Sequence, residues 1–230
     1  RRGSDPDEDP YDTFAHVLGD EAQDISPMQW RMLRRRGAEA SWTIVGDPAQ
    51  SSWPDLDEAQ RAIDDLIGNA PNRRFRLSTN YRSPAEVFTL AAEVVKRAFP
   101  QADLPHAVRT TGIDPVLLRS TTGQLEDRLE QVLSDLSTQV AGTIGVIVAP
   151  SRLPGMVDAQ LPIVRANPDR ISFISPLNAK GLEYDAVVVV SPDQIVAESP
   201  GGDRVLYVAL TRPTQRLVTI DLDDEGAWRP

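Results

Sequence analysis

Two adjacent carboxylates, Asp20 and Glu21, follow a short apolar segment, residues 14–18, that predicts a buried strand. Open α/β sheets bind ligands where their strands end, so both side chains are expected at such an edge. One carboxylate there can hold a hydrated Mg²⁺ ion, which favours one or two carboxylates plus substrate phosphates. Its neighbour can orient an attacking water molecule. An Asp-Glu pair is also common at the acidic start of a helix, and this alternative stays open.

Four other polar segments carry side chains suited to phosphate chemistry. In residues 45–51, a glycine permits a tight turn, and Gln50 offers a neutral amide that could contact a terminal phosphate. Residues 78–84 form a polar loop that exposes Arg82 before a capped helix. The remaining segments are residues 177–185 and 207–215. The alternatives that stay open are a plain turn at residues 45–51, core packing for Tyr81, a surface ion pair for Arg82 or Arg212, and a solvated charge at a helix end for Glu183.

The elements that must position these residues alternate between strands and helices. A helix after the carboxylates has complete start and stop signals: Ser26 as its cap, Pro27 at its first position, Gln29 closing a capping box and Gly37 ending it. The pattern then predicts a strand at residues 42–45, a helix at 56–66 and a short strand at 75–77. This alternation is typical of a parallel sheet with helices on its faces.

A second helix with apolar residues on one face follows. Residues 83–86 predict a capping box that opens it, and its core face is expected to carry Val87, Leu90, Ala91, Val94 and Ala98. Further strands are predicted at residues 116–118, 144–148, 171–174, 186–190 and 217–220, with a helix at 125–136 among them. These elements predict a second α/β sheet, which we expect to be complete.

The predicted domain organisation has three parts. Residues 1–13 are acidic and poor in apolar side chains, which predicts a flexible segment. Residues 14–77 are expected to be the carboxy-terminal part of a first domain, and residues 78–230 a second domain.

Composition narrows the class of protein. With 230 residues, 40% of them hydrophobic, the chain can bury a core. No apolar run approaches the roughly 20 residues that cross a bilayer, and there is no cysteine for disulfides or thiolate metal sites. We therefore expect a cytoplasmic protein that is not inserted in a membrane.

Charge argues against one mode of nucleic-acid binding. The formal net charge of -10 disfavours a surface that grips nucleic acid mainly by neutralising phosphates. A local basic strip exists at residues 34–36. The favoured interpretation of this strip is a solvated helix end, where cations interact well with the carbonyl pole.

Taken in order, the five polar segments resemble motifs II, III, IV, V and VI of the superfamily-one helicases of the UvrD, Rep and PcrA kind. These segments are residues 16–24, 45–51, 78–84, 177–185 and 207–215. The resemblance extends over most of the chain and implies RecA-like parallel sheets with helices on both faces. It also implies an ATP site at the cleft between two such domains.

The resemblance also implies a role for each matching residue. Asp20 would coordinate Mg²⁺, and Glu21 would position or deprotonate the attacking water. Gln50 would contact the terminal phosphate, while Arg82 and Arg212 would stabilise charge on the transferring phosphoryl group. The remaining residues implied to bind ATP are Tyr81, which would stack on the adenine, Glu183, which would hydrogen-bond the ribose, and Gly181.

Trp53 has two interpretations that the sequence leaves open. Related helicases place an aromatic residue after motif III, where it stacks on single-stranded bases for about 1–3 kcal/mol per base. A tryptophan beside Pro54 could equally pack against the neighbouring helix.

A phosphate-binding loop is expected to lie elsewhere in a longer protein. Such a loop needs glycines followed by Gly-Lys-Ser or Gly-Lys-Thr. The only lysines here, Lys96 and Lys180, do not follow a glycine. We therefore expect an amino-terminal remainder of the same protein to supply the loop, and this chain alone to hydrolyse no ATP.

A short connection favours one branch of the resemblance. Translocating relatives carry a large insertion in the second domain before motif V, whereas only a short stretch separates residues 148 and 171 here. The resemblance is therefore closer to the HelD family, helicase-like factors that associate with bacterial RNA polymerase. It implies an ATP-driven factor that remodels or releases RNA polymerase. The alternative is an ATP-dependent DNA helicase that moves along single-stranded DNA.

Overall fold

The computed structural model describes residues 14–223 and 225–230. The predicted flexible segment, residues 1–13, lies outside these described residues. The chain forms two compact units. The first unit contains the described residues up to Pro48 together with residues 53–74, and the second contains residues 49–52 and 75–230. Assignment of the units to a partial and a complete RecA-like domain stays a prediction.

The first unit is a two-stranded parallel sheet with two α-helices. In chain order its elements are β1 (His16–Gly19), α1 (Pro27–Arg36), β2 (Ser41–Ile44) and α2 (Leu56–Ile67). Strand β1 pairs with β2 from His16 opposite Ser41 to Gly19 opposite Ile44. Both strands therefore end at the same edge, and the loops that follow them lie side by side.

Helix α1 begins and ends where its sequence signals predict. The Ser26 side chain accepts a hydrogen bond from the Gln29 N–H, and the Gln29 side chain accepts one from the Ser26 N–H. Pro27 occupies the first turn and Gly37 is the C-cap. The predicted capping box is confirmed.

The prediction of a buried strand at residues 14–18 is wrong in one respect. The strand exists, but Leu18 is 66% exposed and Phe14 is also exposed. Helix α1 covers the other face, where a Cβ on Gly19 would meet the Trp30 ring at 3.3 Å. Thr43, which pairs with Leu18 on β2, is exposed as well, so this face of the two-stranded sheet is open within the described residues of the first unit.

The second unit is built on a five-stranded parallel sheet. Its elements are β3 (Thr79–Asn80), α3 (Ala85–Ala98), β4 (His106–Ala107), β5 (Val116–Ser120), α4 (Leu125–Gln139), β6 (Ile144–Ile147), α5 (Leu153–Asp158), α6 (Pro162–Ala166), β7 (Ile171–Ile174), β8 (Tyr184–Val190), α7 (Pro192–Glu198), α8 (Asp203–Leu210) and β9 (Pro213–Leu222). The strand order in this sheet is β5-β9-β8-β6-β7.

Two hydrophobic clusters cover the two faces of this sheet. Helices α3 and α8 pack on one face with the buried Val187 and Val189 of β8. Helix α4 packs on the other face with Val188 and Val190. Successive residues of a strand point to opposite faces, so a continuous valine run is what a doubly covered strand requires. The predicted α/β class with helices on both faces is confirmed, and the sheet is consistent with a RecA-like domain.

The predicted strand at residues 75–77 is wrong. Phe75 and Leu77 are 88% and 89% exposed, and the short ladder begins only at Thr79, which pairs with His106. Its partner β4 has two residues, so no longer ladder can form. The alternating pattern of residues 75–77 had no strand to pair with.

The second predicted capping box is also wrong, although the helix forms. The N-cap of α3 is Pro84, without a side-chain hydrogen bond. The Ser83 hydroxyl instead donates to the Thr211 carbonyl at 3.3 Å. The Glu86 carboxylate accepts from the Gly112 N–H at 2.7 Å. Its own N–H and that of Gly112 lower the pKa of the Glu86 carboxyl. Tertiary partners thus replaced both halves of the local motif.

Most of the predicted core face of α3 is correct. Val87, Ala91 and Val94 are buried, Leu90 is half-buried and Ala98 is exposed in the last turn. Among the described residues, no helix has both the length and the apolar character needed to cross a lipid bilayer.

Candidate nucleotide site

The two predicted hydrolytic carboxylates lie directly beyond β1 in the first unit. Glu21 has a left-handed backbone, with φ 49° and ψ 40°, and its N–H donates to Asp20 Oδ1 at 2.8 Å. The main chain after Glu21 is bonded to the residue that follows β2, since the Ala22 N–H donates to the Val45 carbonyl at 2.9 Å. Both carboxylates are exposed at the strand end.

Asp20 fits Mg²⁺ by its chemistry and by its setting. A carboxylate is the oxygen ligand that Mg²⁺ favours, and the hydrogen bond from Glu21 fixes one Asp20 oxygen. Within residues 14–223 and 225–230, no group of three or more His, Asp or Glu side chains could hold a metal. An ion at Asp20 would therefore complete its shell with water and phosphate oxygens, as Mg²⁺ usually does.

Gln23, which the sequence analysis did not single out, connects two loops of the first unit. Its side chain is buried, its Nε2 donates to Glu21 Oε2 at 2.5 Å, and its Oε1 accepts from the Asp47 N–H at 2.9 Å. The signal in the sequence was its place two residues after Glu21, but nothing local predicted the contact with Asp47.

In the second unit, the predicted phosphate-contacting residues Gln50 and Arg212 meet. Arg212 Nη2 donates to Gln50 Oε1 at 3.1 Å, although the residues are 162 positions apart. Arg212 is 2% exposed, and its Nε donates to the Val208 carbonyl at 2.9 Å. Lys180 Nζ donates to the Gln50 carbonyl at 2.7 Å. The segment with Gln50 is thus held by side chains from two of the other motif-like segments.

Arg82 and Glu183 are a second pair of predicted site residues in contact, here through an ion pair. Arg82 Nε lies 2.6 Å from Glu183 Oε1, with the two side chains 41% and 49% exposed. Asn80 Oδ1 accepts from the Arg82 N–H at 2.9 Å and so fixes the loop from which the arginine projects. Tyr81 is 73% exposed beside it. Gly181 has φ +73°, a turn conformation that glycine adopts without strain.

Arg109 is a residue of this region that the sequence analysis missed. Its Nε donates to the Tyr81 carbonyl at 3.3 Å, and its Nη2 donates to the carbonyls of Arg82 and Thr214. It therefore joins the loop that carries Tyr81 and Arg82 to the chain just after Arg212. Arg109 lies outside all five motif-like segments, so no sequence signal could have found it.

Trp53 lies in the first unit. Its indole Nε1 donates to Glu58 Oε2 of α2 at 3.1 Å, and the side chain is half-buried. This contact agrees with the packing interpretation, while base stacking stays a prediction. The basic strip at residues 34–36 forms the last turn of α1, as expected for a helix end.

A comparison with protein families finds one match. Residues 6–53 match the UvrD/REP helicase N-terminal domain. This match supports a superfamily-one helicase-like protein. The matched range includes Asp20, Glu21 and Gln50, so the carboxylates at the end of β1 lie in the part of the chain that is similar to this helicase domain.

One solved helicase structure resembles the chain in fold. An arterivirus helicase, nonstructural protein 10, superposes with a TM-score of 0.51 at 16% identity over 95% of this chain. The match covers 41% of that helicase chain. The C-terminal domain of a possible DNA helicase from Lactobacillus plantarum WCFS1 gives a TM-score of 0.49 at 16% identity, over 65% of this chain and 91% of that one. Among curated proteins, none matches the chain.

Proposed function

We propose that this chain carries part of the ATP-hydrolysing machinery of a superfamily-one helicase-like motor. One observation carries the proposal: residues from four distant segments of the second unit meet in pairs. Gln50 contacts Arg212, and Arg82 contacts Glu183. Each of these residues has an assigned role in ATP hydrolysis by the motif resemblance. A set of unrelated turns would not be expected to converge in this way.

The proposed chemistry follows from the side chains. Glu21 accepts the proton of the attacking water or orients that water, while Asp20 holds Mg²⁺, which polarises the phosphates when it is bound. Arg82 and Arg212 offer planar donor forks that match phosphoryl oxygens. In the proposed site, Gln50 contacts the terminal phosphate, Tyr81 stacks on the adenine, and Glu183 and Gly181 lie at the ribose side.

A phosphate-binding loop must come from outside the present sequence in this proposal. We propose that a longer protein supplies it amino-terminal to residue 1. The ATP-hydrolysing unit is then that longer protein, and the purified chain alone shows no turnover above background.

The test compares ATP hydrolysis by the longer protein and by its variants. Glu21→Gln and Arg212→Ala are each expected to lower kcat by about 100-fold or more, as loss of a catalytic base or of an arginine in phosphoryl transfer does. Arg165→Ala, at the end of α6, is the matched control. Normal turnover by the Glu21→Gln variant of the longer protein would overturn the catalytic role of Glu21. Turnover by the isolated chain that Glu21→Gln abolishes would overturn the proposal that a longer protein must supply the phosphate-binding loop.

The finer proposal is a HelD-like factor that uses ATP to remodel or release RNA polymerase. What supports it is the short connection between β6 and β7, where only α5 and α6 lie between Ile147 and Ile171. A translocating relative would carry a large inserted domain there. The net charge of -10 is also unfavourable for a protein that grips a nucleic-acid backbone.

A DNA helicase acting on single-stranded DNA is the second candidate. It is favoured by the match to the UvrD/REP helicase N-terminal domain. The ATPase rate of the longer protein, measured with single-stranded DNA and with RNA polymerase, separates the two. Stimulation by DNA alone contradicts the HelD-like proposal, and stimulation by polymerase alone contradicts the helicase.

A further inference from the structure

We infer that Gln23 is a positioning residue, whose amide holds the Glu21 carboxylate in the orientation that hydrolysis requires. The inference rests on the proposed function of Glu21. All the residues that carry it belong to the first unit, where Glu21 and Asp47 follow the ends of β1 and β2.

The orientation of the Gln23 amide is set by what lies on each side of it. The Asp47 main-chain N–H is only a donor, so the atom facing it at 2.9 Å must be the oxygen, Oε1. The nitrogen then faces Glu21 Oε2 at 2.5 Å and donates to it. A carboxylate only accepts hydrogen bonds, so the opposite orientation of the amide would place two acceptors together.

Burial makes this arrangement rigid. Gln23 is 6% exposed, in a short 3₁₀ turn over Ala22–Asp24. A buried amide that loses a hydrogen bond costs about 1–3 kcal/mol, so the side chain has a strong reason to keep both partners. The exposed Glu21 side chain is therefore attached to a fixed point of the fold.

Gly46 makes room for the amide. A Cβ at this position would lie 2.8 Å from Gln23 Oε1 and 3.1 Å from the Ala22 Cβ. Any side chain at residue 46 would thus push the Gln23 amide away from its place. Close packing against Gln23 and Ala22 therefore explains the glycine at this position.

The chemical consequence concerns which Glu21 oxygen faces water. The Gln23 donor engages Oε2 and leaves Oε1 as the oxygen that can accept a proton from the attacking water. A neutral donor fixes the carboxylate without cancelling its charge, which an arginine or lysine would do. Misplacement of a catalytic group by about 1 Å can cost about 100-fold in rate.

The test measures kcat and KM for ATP in the longer protein that contains this chain. Gln23→Met removes the donor and the acceptor at similar size, and we expect kcat to fall about 10- to 100-fold with KM within about 3-fold. Gln23→Glu keeps an acceptor for the Asp47 N–H but cannot donate to Glu21, and kcat is expected to fall as far. Gly46→Ala displaces the amide without changing either residue and should lower kcat in the same direction.

Two controls separate a positioning role from general damage. Gln60 also donates to a carboxylate, Asp64 Oδ1 at 3.0 Å, but on the exposed face of α2, so Gln60→Met should leave kcat unchanged. Gly155 in α5 has nothing within 4 Å of an added Cβ, so Gly155→Ala is the control for Gly46→Ala. Thermal unfolding of each variant shows which ones fold. If Gln23→Met does not fold, Gln23→Glu and Gly46→Ala carry the test.

The catalytic role of Glu21 and the positioning role of Gln23 are tested separately. If Glu21→Gln retains normal turnover, the proposed function of Glu21 is wrong. If Glu21→Gln abolishes turnover but folded Gln23→Met and Gln23→Glu keep the parent kcat, the positioning inference is wrong and the proposed function stands. A rise in KM alone, with kcat unchanged, would also refute the inference.

Discussion

In the second unit, strands β6 and β8 are buried at nearly every residue, whereas β1 in the first unit alternates between exposed and covered positions. All three strands pair in parallel with a neighbour, and a helix follows each of them along the chain. The difference lies in what surrounds them. Strand β8 has a neighbour on each side and helices on both faces, while β1 has one described neighbour strand and one covering helix.

A strand-turn-helix pattern therefore predicts where a polar segment lies along the chain, but it does not predict how deeply the strand is buried. Burial depends on how many strands pair beside it, which is a property of the whole sheet. The carboxylates follow the end of β1, whereas Glu183 and Arg212 directly precede the starts of β8 and β9.

The sharpest test of this comparison replaces one leucine in each unit. Leu206 in α8 is fully buried, and Leu206→Ala should cost about 3–5 kcal/mol, the range for a core leucine. Leu18 is 66% exposed, and Leu18→Ala should cost less than about 1 kcal/mol. Urea unfolding followed by circular dichroism, with hydrogen exchange to assign each change to a unit, measures both.

Equal costs for the two leucines would contradict the comparison. A large loss of unfolding free energy on Leu18→Ala would mean that folding buries Leu18, in disagreement with its exposure. Tryptophan fluorescence offers an independent readout, since Trp30, Trp42 and Trp53 lie in the first unit and Trp228 in the second.

How far the sequence predicted the fold depended on where the deciding contacts lie. The capping box of α1 was predictable because Ser26 and Gln29 bond to each other, three residues apart. The box at α3 was not, because Ser83 and Glu86 bond to Thr211 and Gly112, far along the chain. A pattern that looks the same locally is overruled when a distant partner is available.

The same distinction applies to the candidate site. Motif-like segments located Gln50, Arg82, Glu183 and Arg212, but the pairs they form join residues about 100 positions apart or more. Arg109 could not be predicted, since it acts on carbonyls that folding brings to it, and for Gln23 the sequence showed its closeness to Glu21 but not its contact with Asp47. Side chains that act on the main chain leave little trace in sequence patterns.

The next largest effect distinguishes two arginines with the same proposed role. Arg212 is buried and donates to several groups, so Arg212→Ala should destabilise the second unit by about 2–3 kcal/mol. Arg82 is in a half-exposed ion pair, and Arg82→Ala should cost at most about 1 kcal/mol. Both should lower ATP turnover strongly in the longer protein. A destabilised Arg82→Ala variant would show that its ion pair with Glu183 is part of the fold.

A smaller effect compares the two serines that precede helices. Ser26→Ala removes the α1 cap and should cost about 1 kcal/mol, seen as faster hydrogen exchange in the first turn of α1. Ser83→Ala leaves the start of α3 unchanged and removes only the hydrogen bond to Thr211. In the Ser83→Ala variant, amide hydrogen exchange should therefore become faster near Thr211, at the end of α8. Faster exchange in the first turn of α3 would restore the predicted capping box.

The smallest expected effect concerns the stability of the second unit at acid pH, where Ser151 contacts Glu198. The Ser151 hydroxyl and N–H both donate to the Glu198 carboxylate, and the hydroxyl is the main cause that lowers the pKa of Glu198. A carboxyl whose pKa is lowered by folding stabilises the protein above its unfolded pKa of about 4.3. This contribution is lost as the pH falls through the lower folded value. Glu198→Gln should therefore be less stable than the parent near neutral pH, by no more than about 0.5 kcal/mol because the side chain is exposed, and the difference should shrink as the pH falls below about 4.3. Urea midpoints measured from pH 7 to pH 3 test this, and a difference that stays constant across that range would show that the Ser151 contact does not depend on the charge of Glu198.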